Sequence, residues 1–532
     1  MSGPGTDRPR QEAAHAAKDD ASHAAKDDAS HAAKSGAVQV LTIAGQALLT
    51  VTNVLLARLF GRSVFGAYQA SLAIVEMLTR GGTGGADKGM LRFVPGARAR
   101  GEPAMVRAAL GTGLRLGLVV GGLGALALVA LAPLIARASH DPTMTTGLRL
   151  MAPAIVLTGG VWILAQASLA ARVTRPNFIV RGLGEPVLLL VAGLTAAAVG
   201  RSLHHLAVAH VAAAGATFLL ALFVVGPVFG KGAIAQSLRA PSVPGFVRFS
   251  LPLGLSELVN VVLQRADIVI LTLFLGAGAT GVYAAAEFIT RVISNTRYVF
   301  DSIAAAVFSE ALHLGQRERL QQSLSRMTRW VLTVATPIAV TVIVLRHELL
   351  SLYGPAFQGG APALVILALG HLVNASLGLA GWILVTSGRS RLLLMNNLGA
   401  ATLNIVAGLT LIPRYGLVGT AIASLGSVAA MQIAGVVEVA LTERVLAFDR
   451  SSLKPLVSGA VTLAAEVAIA RLCGGSTAVR VLLVIVAGLG IYGGSLLALG
   501  LAPEDRTLLQ RARARLGRWF GRAQPSGGSS SP

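Results

Sequence analysis

Leu59-Phe60-Gly61-Arg62-Ser63-Val64-Phe65-Gly66-Ala67-Tyr68 closes the first long apolar run of the chain. Leu273-Phe274-Leu275-Gly276-Ala277-Gly278-Ala279-Thr280-Gly281-Val282-Tyr283 closes the seventh. One inserted residue aligns Gly61 with Gly276, Gly66 with Gly281 and Tyr68 with Tyr283. A phrase repeated six apolar runs apart predicts two structural halves of the same orientation, related by an axis along the membrane normal.

The composition supports a chain that lives in lipid. Of 532 residues, 54% are hydrophobic and only 13% charged, whereas a soluble domain carries roughly 25% charged residues. The mean hydropathy is +0.69. Abundant glycine (61) and scarce aromatics (5%) suit closely packed helices in a bilayer. The net charge of +21 does not point to nucleic acid, because the basic residues sit in short loops between apolar runs. The single cysteine, Cys473, excludes an internal disulfide and a cysteine metal cluster. No cofactor or metal is expected, since His204, His205 and His210 do not share a helix face at ligand spacing. The run Gly81-Gly82-Thr83-Gly84-Gly85 before Ala86-Asp87-Lys88 lacks the Gly-Lys-Ser/Thr order of a phosphate loop. It reads instead as a flexible break at the end of the second helix.

A span needs roughly 20 apolar residues, and about fourteen such stretches follow one another along the chain. With the N-terminus inside, the inner segments collect roughly 31 Lys and Arg and the outer ones about nine. The bias fixes an even count with both tails cytoplasmic. The expected fold is therefore an all-α polytopic membrane protein with two pseudo-symmetric six-helix lobes and two extra C-terminal helices. The expected boundaries are a repetitive polar tail over 1–34, lobes over 35–230 and 248–442, and a cytoplasmic linker over 231–247. Two further helices occupy 443–502, and a basic tail 503–532. In the first tail His-Ala-Ala-Lys-Asp-Asp-Ala-Ser recurs from His15 and His23 with no apolar face, so it is expected to stay solvated. In the last, Arg511, Arg513, Arg515, Arg518 and Arg522 interleave with Leu508, Leu516, Trp519 and Phe520 as a basic amphipathic helix for anionic lipid.

Ionisable residues inside a bilayer are costly and mark function. Arg265 and Asp267 lie near the middle of the seventh helix, Arg291 at similar depth in the eighth and Glu76 in the second. Glu287 falls nearer the outer face; Arg80, Glu257 and Arg297 fall nearer the inner one. Two readings stand side by side. Arg265 and Arg291 can offer guanidinium forks to an anionic headgroup. Alternatively Asp267 or Glu287 neutralises Arg291 in an internal pair. Glu76 and Glu287 are the candidates for ion coupling.

The residues carry a family resemblance. Leu55-Leu56-Ala57-Arg58-Leu59-Phe60-Gly61, Phe65-Gly66-Ala67-Tyr68, Gly84-Gly85 and Leu91-Arg92-Phe93-Val94 appear in order in the first half. Phe249-Ser250-Leu251-Pro252, Arg265-Ala266-Asp267, Gly281-Val282-Tyr283, Tyr353-Gly354-Pro355-Ala356-Phe357 and Ile412-Pro413-Arg414-Tyr415-Gly416-Leu417-Val418-Gly419 follow in the second. The series resembles polysaccharide exporters of the O-antigen flippase type, in the superfamily that also holds multidrug and toxin extrusion pumps and the lipid II flippase. The resemblance implies two six-helix bundles facing a central cavity. It also implies transport of an undecaprenyl-pyrophosphate-linked oligosaccharide across the bacterial inner membrane for lipopolysaccharide and cell-envelope synthesis. Cavity cations are carried over to Arg265, Arg291 and Arg58. The implied partners are the lipid-linked oligosaccharide, membrane lipids and polysaccharide polymerase and assembly proteins. The competing readings are a cation-coupled multidrug exporter of the same fold and an integral-membrane glycan polymerase. Short outer connections, without room for catalytic residues, speak against an enzyme.

Overall fold

Inside a bilayer a continuous apolar segment satisfies its own N–H and C=O groups only as a helix. The computed structural model describes residues 45–230, 232–472 and 476–500, and among them there is no strand. The octapeptide tail, the basic C-terminal segment and Cys473 lie outside the described residues. Eleven described helices are long and apolar enough to cross a membrane. Three of them turn at a glycine with non-helical backbone: Gly61 (φ 77°, ψ 166°), Gly276 (φ 74°, ψ 178°) and Gly416 (φ 58°, ψ −132°). Each break makes two spans from one helix, which gives fourteen among the described residues.

In chain order these are α1 (45–60), α2 (62–82), α3 (Pro103–Ala138), α4 (Thr143–Ala170), α5 (Glu185–Val199) and α6 (Leu203–Phe229). Then come α7 (246–275), α8 (277–313), α9 (Arg317–Val344), α10 (Ala361–Leu377), α11 (390–415) and α12 (417–442). The last two are α13 (Leu453–Leu472) and α14 (Thr477–Ala498).

Gly61 and Gly276, aligned by the sequence repeat, share one backbone conformation. Positive φ is the region where a β-carbon is penalised, so glycine permits the bend. Polar side chains tie each bend shut. Gln69 Nε2 donates to Asn53 Oδ1 (2.9 Å) across the first, and Tyr283 Oη to Asp267 Oδ2 (2.7 Å) across the second. Asn404 Nδ2 donates to Ser427 Oγ (3.1 Å) across the third.

The chain packs as two compact units, Met1–Ala284 and Ala285–Pro532. In the first unit α3 lies on α4, and α4 and α5 on α6. Here α7 runs antiparallel along α2. Near one end a β-carbon on Gly66 would run into the Ala277 carbonyl, and one on Gly281 into that of Arg62. Near the other, Gly85 and Gly254 approach as closely, against Ser250 and Gly84. Small residues let these backbones touch. In the second unit α10 packs on α9 and on the α11–α12 helix, and α13 packs on α9 and α14. A capping box precedes α13: Asp449 Oδ1 accepts from the Ser452 N–H at 2.8 Å. Tyr68, Phe65, Tyr283 and Phe246 fill the first unit and Phe308, Tyr353 and Phe357 the second. Leu118, Leu123 and Leu126 on α3 and Phe223 on α6 stand exposed, as side chains facing lipid should.

Candidate functional site: charged clusters at membrane depth

In the first unit, six ionisable side chains form one cluster, and two of its arginines lie against one aromatic ring. Arg265 Nε on α7 donates to Glu76 Oε2 on α2 at 2.8 Å. One turn further along α2, Arg80 Nη1 reaches Glu257 Oε1 at 3.2 Å. The Arg80 guanidinium also lies 3.1 Å from the ring centroid of Trp162 on α4. Arg181 approaches the same ring, at 4.5 Å. Glu185, at the start of α5, is within electrostatic reach of Arg181, Glu76 and Arg80.

Local backbone explains each placement. Glu76 and Arg80 are i, i+4 on α2 and share a face. Ten residues separate Glu76 from Gly66 and nine from Gly85, so the Glu76–Arg265 pair sits about 14 Å from either glycine contact, at 1.5 Å per residue. Arg181 belongs to a π-helical turn, Phe178–Gly184. Such a turn inserts a residue and re-aims side chains, and it concentrates at functional sites. The pair is not sealed: the Arg265 and Glu76 side chains are 18% and 38% exposed. Three guanidiniums and three carboxyl groups share the cluster, so its formal charge is balanced.

In the second unit Arg291 pairs with Glu287 on the next turn of α8. Its guanidinium lies 5.2 Å from the Phe288 ring. A polar network begins one turn on. Ser294 Oγ bonds His371 Nδ1 (2.7 Å) on α10, Asn374 Nδ2 donates to Ser294 (3.3 Å), and Arg297 Nη1 to Asn374 Oδ1 (3.2 Å). Gln432 on α12 donates to the same Asn374 oxygen. Arg297 Nε also lies 3.5 Å from Asp301 Oδ1.

Of the pairings open to Arg291, that with Glu287 forms. Asp267, 9% exposed, serves the α7–α8 bend through Tyr283 and its own neighbour's N–H. Arg58 is exposed on α1, three residues before the Gly61 bend. The ion-coupling candidates Glu76 and Glu287 are both paired with arginine. Sequence reasoning missed Trp162, Glu185 and His371, and counted Arg181 with the loop charges. A tryptophan in a chain that has four, about two turns inside the end of α4, was the available signal.

A family model described as polysaccharide biosynthesis protein matches residues 55–359. That is more than half of the chain, and it takes in both repeated phrases and every arginine placed above. The chain belongs to the polysaccharide biosynthesis protein family. A relative of this family member, the uncharacterized membrane protein MJ1068 of Methanocaldococcus jannaschii, is 25% identical over 167 residues. That match spans 31% of this chain and 32% of the relative. Among solved structures, the lipid II flippase MurJ in its inward closed conformation superposes with a TM-score of 0.66 at 14% identity, covering 86% of this chain and 97% of that one. An inward-facing multidrug resistance MATE transporter gives 0.65 at 14%, over 75% and 94%. A superfamily transporter from Pyrococcus furiosus, described as having a binding pocket of reversed polarity, gives 0.54 at 12%, over 80% and 94%. At these identities the likeness shows the fold alone.

Proposed function

We propose that this family member flips an undecaprenyl-pyrophosphate-linked oligosaccharide from the cytoplasmic to the periplasmic leaflet of the bacterial inner membrane by alternating access. The observation that carries the reading is a cluster of arginines at membrane depth: Arg80 and Arg181 lie against Trp162, and Arg265 pairs with Glu76 one turn along α2 from Arg80. A guanidinium stays charged when desolvated and binds phosphate through two parallel N–H donors. In the unloaded state Glu76 and Glu257 neutralise two of these cations. An arriving pyrophosphate trades places with the carboxylates, so the exchange leaves no bare charge in the hydrocarbon. Trp162 offers a stacking face for a sugar ring or a cation. Arg291 with Glu287 supplies the equivalent pair in the second unit.

In this reading the lobes are 35–230 and 248–442, joined by 231–247, with 443–502 added. Both termini are cytoplasmic. Polymerase and assembly proteins receive the product outside.

The second reading is a multidrug exporter. Glu76, Glu185 and Glu257, in one cluster with the arginines that line Trp162, offer the acidic and aromatic groups that a cationic drug needs. Deleting the gene separates the two. Flipping predicts lipid-linked repeat units trapped on the cytoplasmic leaflet, with unchanged drug tolerance. Normal sidedness with increased sensitivity to cationic drugs supports the exporter. Normal sidedness with unpolymerised repeat units outside supports a polymerase.

A further inference from the structure

We propose that Glu466 is a proton-binding site, built where the two C-terminal helices meet α9. Glu466 lies in the middle of α13 and is 0% exposed. Its Oε1 accepts a hydrogen bond from Thr341 Oγ1 of α9 at 2.9 Å. Its Oε2 is buried with no hydrogen-bond partner. On α14, a β-carbon at Gly488 would run into the carboxyl, so this helix leaves a notch that the side chain fills.

Among the described residues no basic side chain is paired with the carboxyl. From α9 the seam receives Thr336 and Thr341, from α13 itself Ser458 and Thr462, and from α14 Gly488 and Tyr492. Arg317, Arg319 and Arg326 lie about four turns or more before Thr341 on α9, and the other basic residues of these elements are engaged or turned away. Arg329 bonds Ser451, Lys454 the Gly500 carbonyl, Arg346 the Ile343 carbonyl, and Arg480 Glu348. Arg471 is exposed. Glu76 and Glu287 differ, because each has an arginine.

A bare carboxylate in such a seam costs many kcal/mol, and a bound proton removes the charge. A hard metal ion wants about six oxygens; the carboxyl and one hydroxyl fall well short. Release of the proton would place an unpaired charge among α9, α13 and α14, so occupancy and packing of the C-terminal pair on α9 are linked reciprocally. Glu466 itself lies outside residues 55–359, and the proposal stands independently of the transported substrate.

Infrared difference spectra of the full chain in lipid nanodiscs, from about pH 5 to 9, read the site directly. The expected result is a carboxylic-acid carbonyl band at neutral pH that Glu466→Gln removes and that replacing potassium by sodium leaves unchanged. Glutamine has the shape of the neutral acid, so this variant should insert and melt as the parent does. Should it not insert, Glu466→Asp, which draws the carboxyl back from Thr341, must shift the band. A spectrum untouched by substitution across the range, or a band that sodium extinguishes, overturns the proposal.

Discussion

Arg265 meets Glu76 across 189 positions of sequence, and neither residue names its partner in advance. The depth of each was legible, because counting 1.5 Å per residue along an apolar run places a charge without any tertiary knowledge. The pairing was not, since it depends on α7 lying along α2. The pair also frames a prediction about what the guanidinium does. Arg265→Lys keeps the positive charge beside Glu76 but loses the two-pronged fork. If the fork holds a phosphate, Arg265→Lys and Arg265→Ala should both lower flipping by about tenfold or more, the equivalent of roughly 1.4 kcal/mol. Both variants should reach the membrane in normal amounts. A lysine variant with full transport would make the pair purely structural.

Asp449 behaves differently, at the polar start of α13. Burial alone would raise its pKa. The Ser451 and Ser452 hydroxyls and the Ser452 N–H donate to it and outweigh burial, holding it below the ordinary carboxylate value. The folded protein therefore binds this proton less readily than the unfolded chain. The cap contributes above the unfolded value, about pH 4, and is lost as pH falls through the lower folded value. Asp449→Ala should cost about 1 kcal/mol at neutral pH. In thermal melts this difference from the parent should shrink towards zero in acid; a difference that persists there would show that the charge is not what stabilises the cap.

The glycine bends were the most legible elements. Gly61 and Gly276 aligned as letters before they aligned as dihedral angles, because only glycine takes the required φ without penalty. The π-helical turn was not legible. An inserted residue leaves no compositional mark, so Arg181 looked like one more loop charge until the turn swung it onto Trp162. The polar α8 was visible in sequence, but its purpose was not: Ser294 and Arg297 face His371 and Asn374 of α10, about eighty positions away.

Element packing gives its own prediction. Gly66→Ala must separate α2 from the start of α8, where the β-carbon would meet the Ala277 carbonyl. Backbone contacts yield less readily than side chains, so the cost should be about 1–3 kcal/mol. A cysteine placed at Ala277 in the Gly66→Ala protein should react faster with a membrane-impermeant maleimide than in the Gly66 protein. Equal rates would mean that this contact does not close. Gly61→Ala instead strains the bend itself, by about 1–2 kcal/mol, with no clash.

At the scale of the whole molecule, hydropathy and charge bias were enough for fourteen helices, because the bilayer imposes one length and one hydrogen-bonding rule on every span. The expected lobe boundary at 231–247 and the division after Ala284 differ for a physical reason. Close contacts along α2 bind α7 to the helices before it, so contact density follows packing and not the sequence repeat. The nature of the cargo is a property of the assembled site, and the balanced formal charge of the Arg80, Arg181 and Arg265 cluster admits an anion only through exchange of partners. The decisive measurement is the leaflet distribution of a fluorescent undecaprenyl-pyrophosphate-linked saccharide in liposomes holding the purified protein. The parent should expose the probe to an external quencher far faster than empty liposomes do, and Arg265→Ala should return the rate to the empty value. Equal rates with and without the parent protein, or an unimpaired Arg265→Ala, would contradict the account.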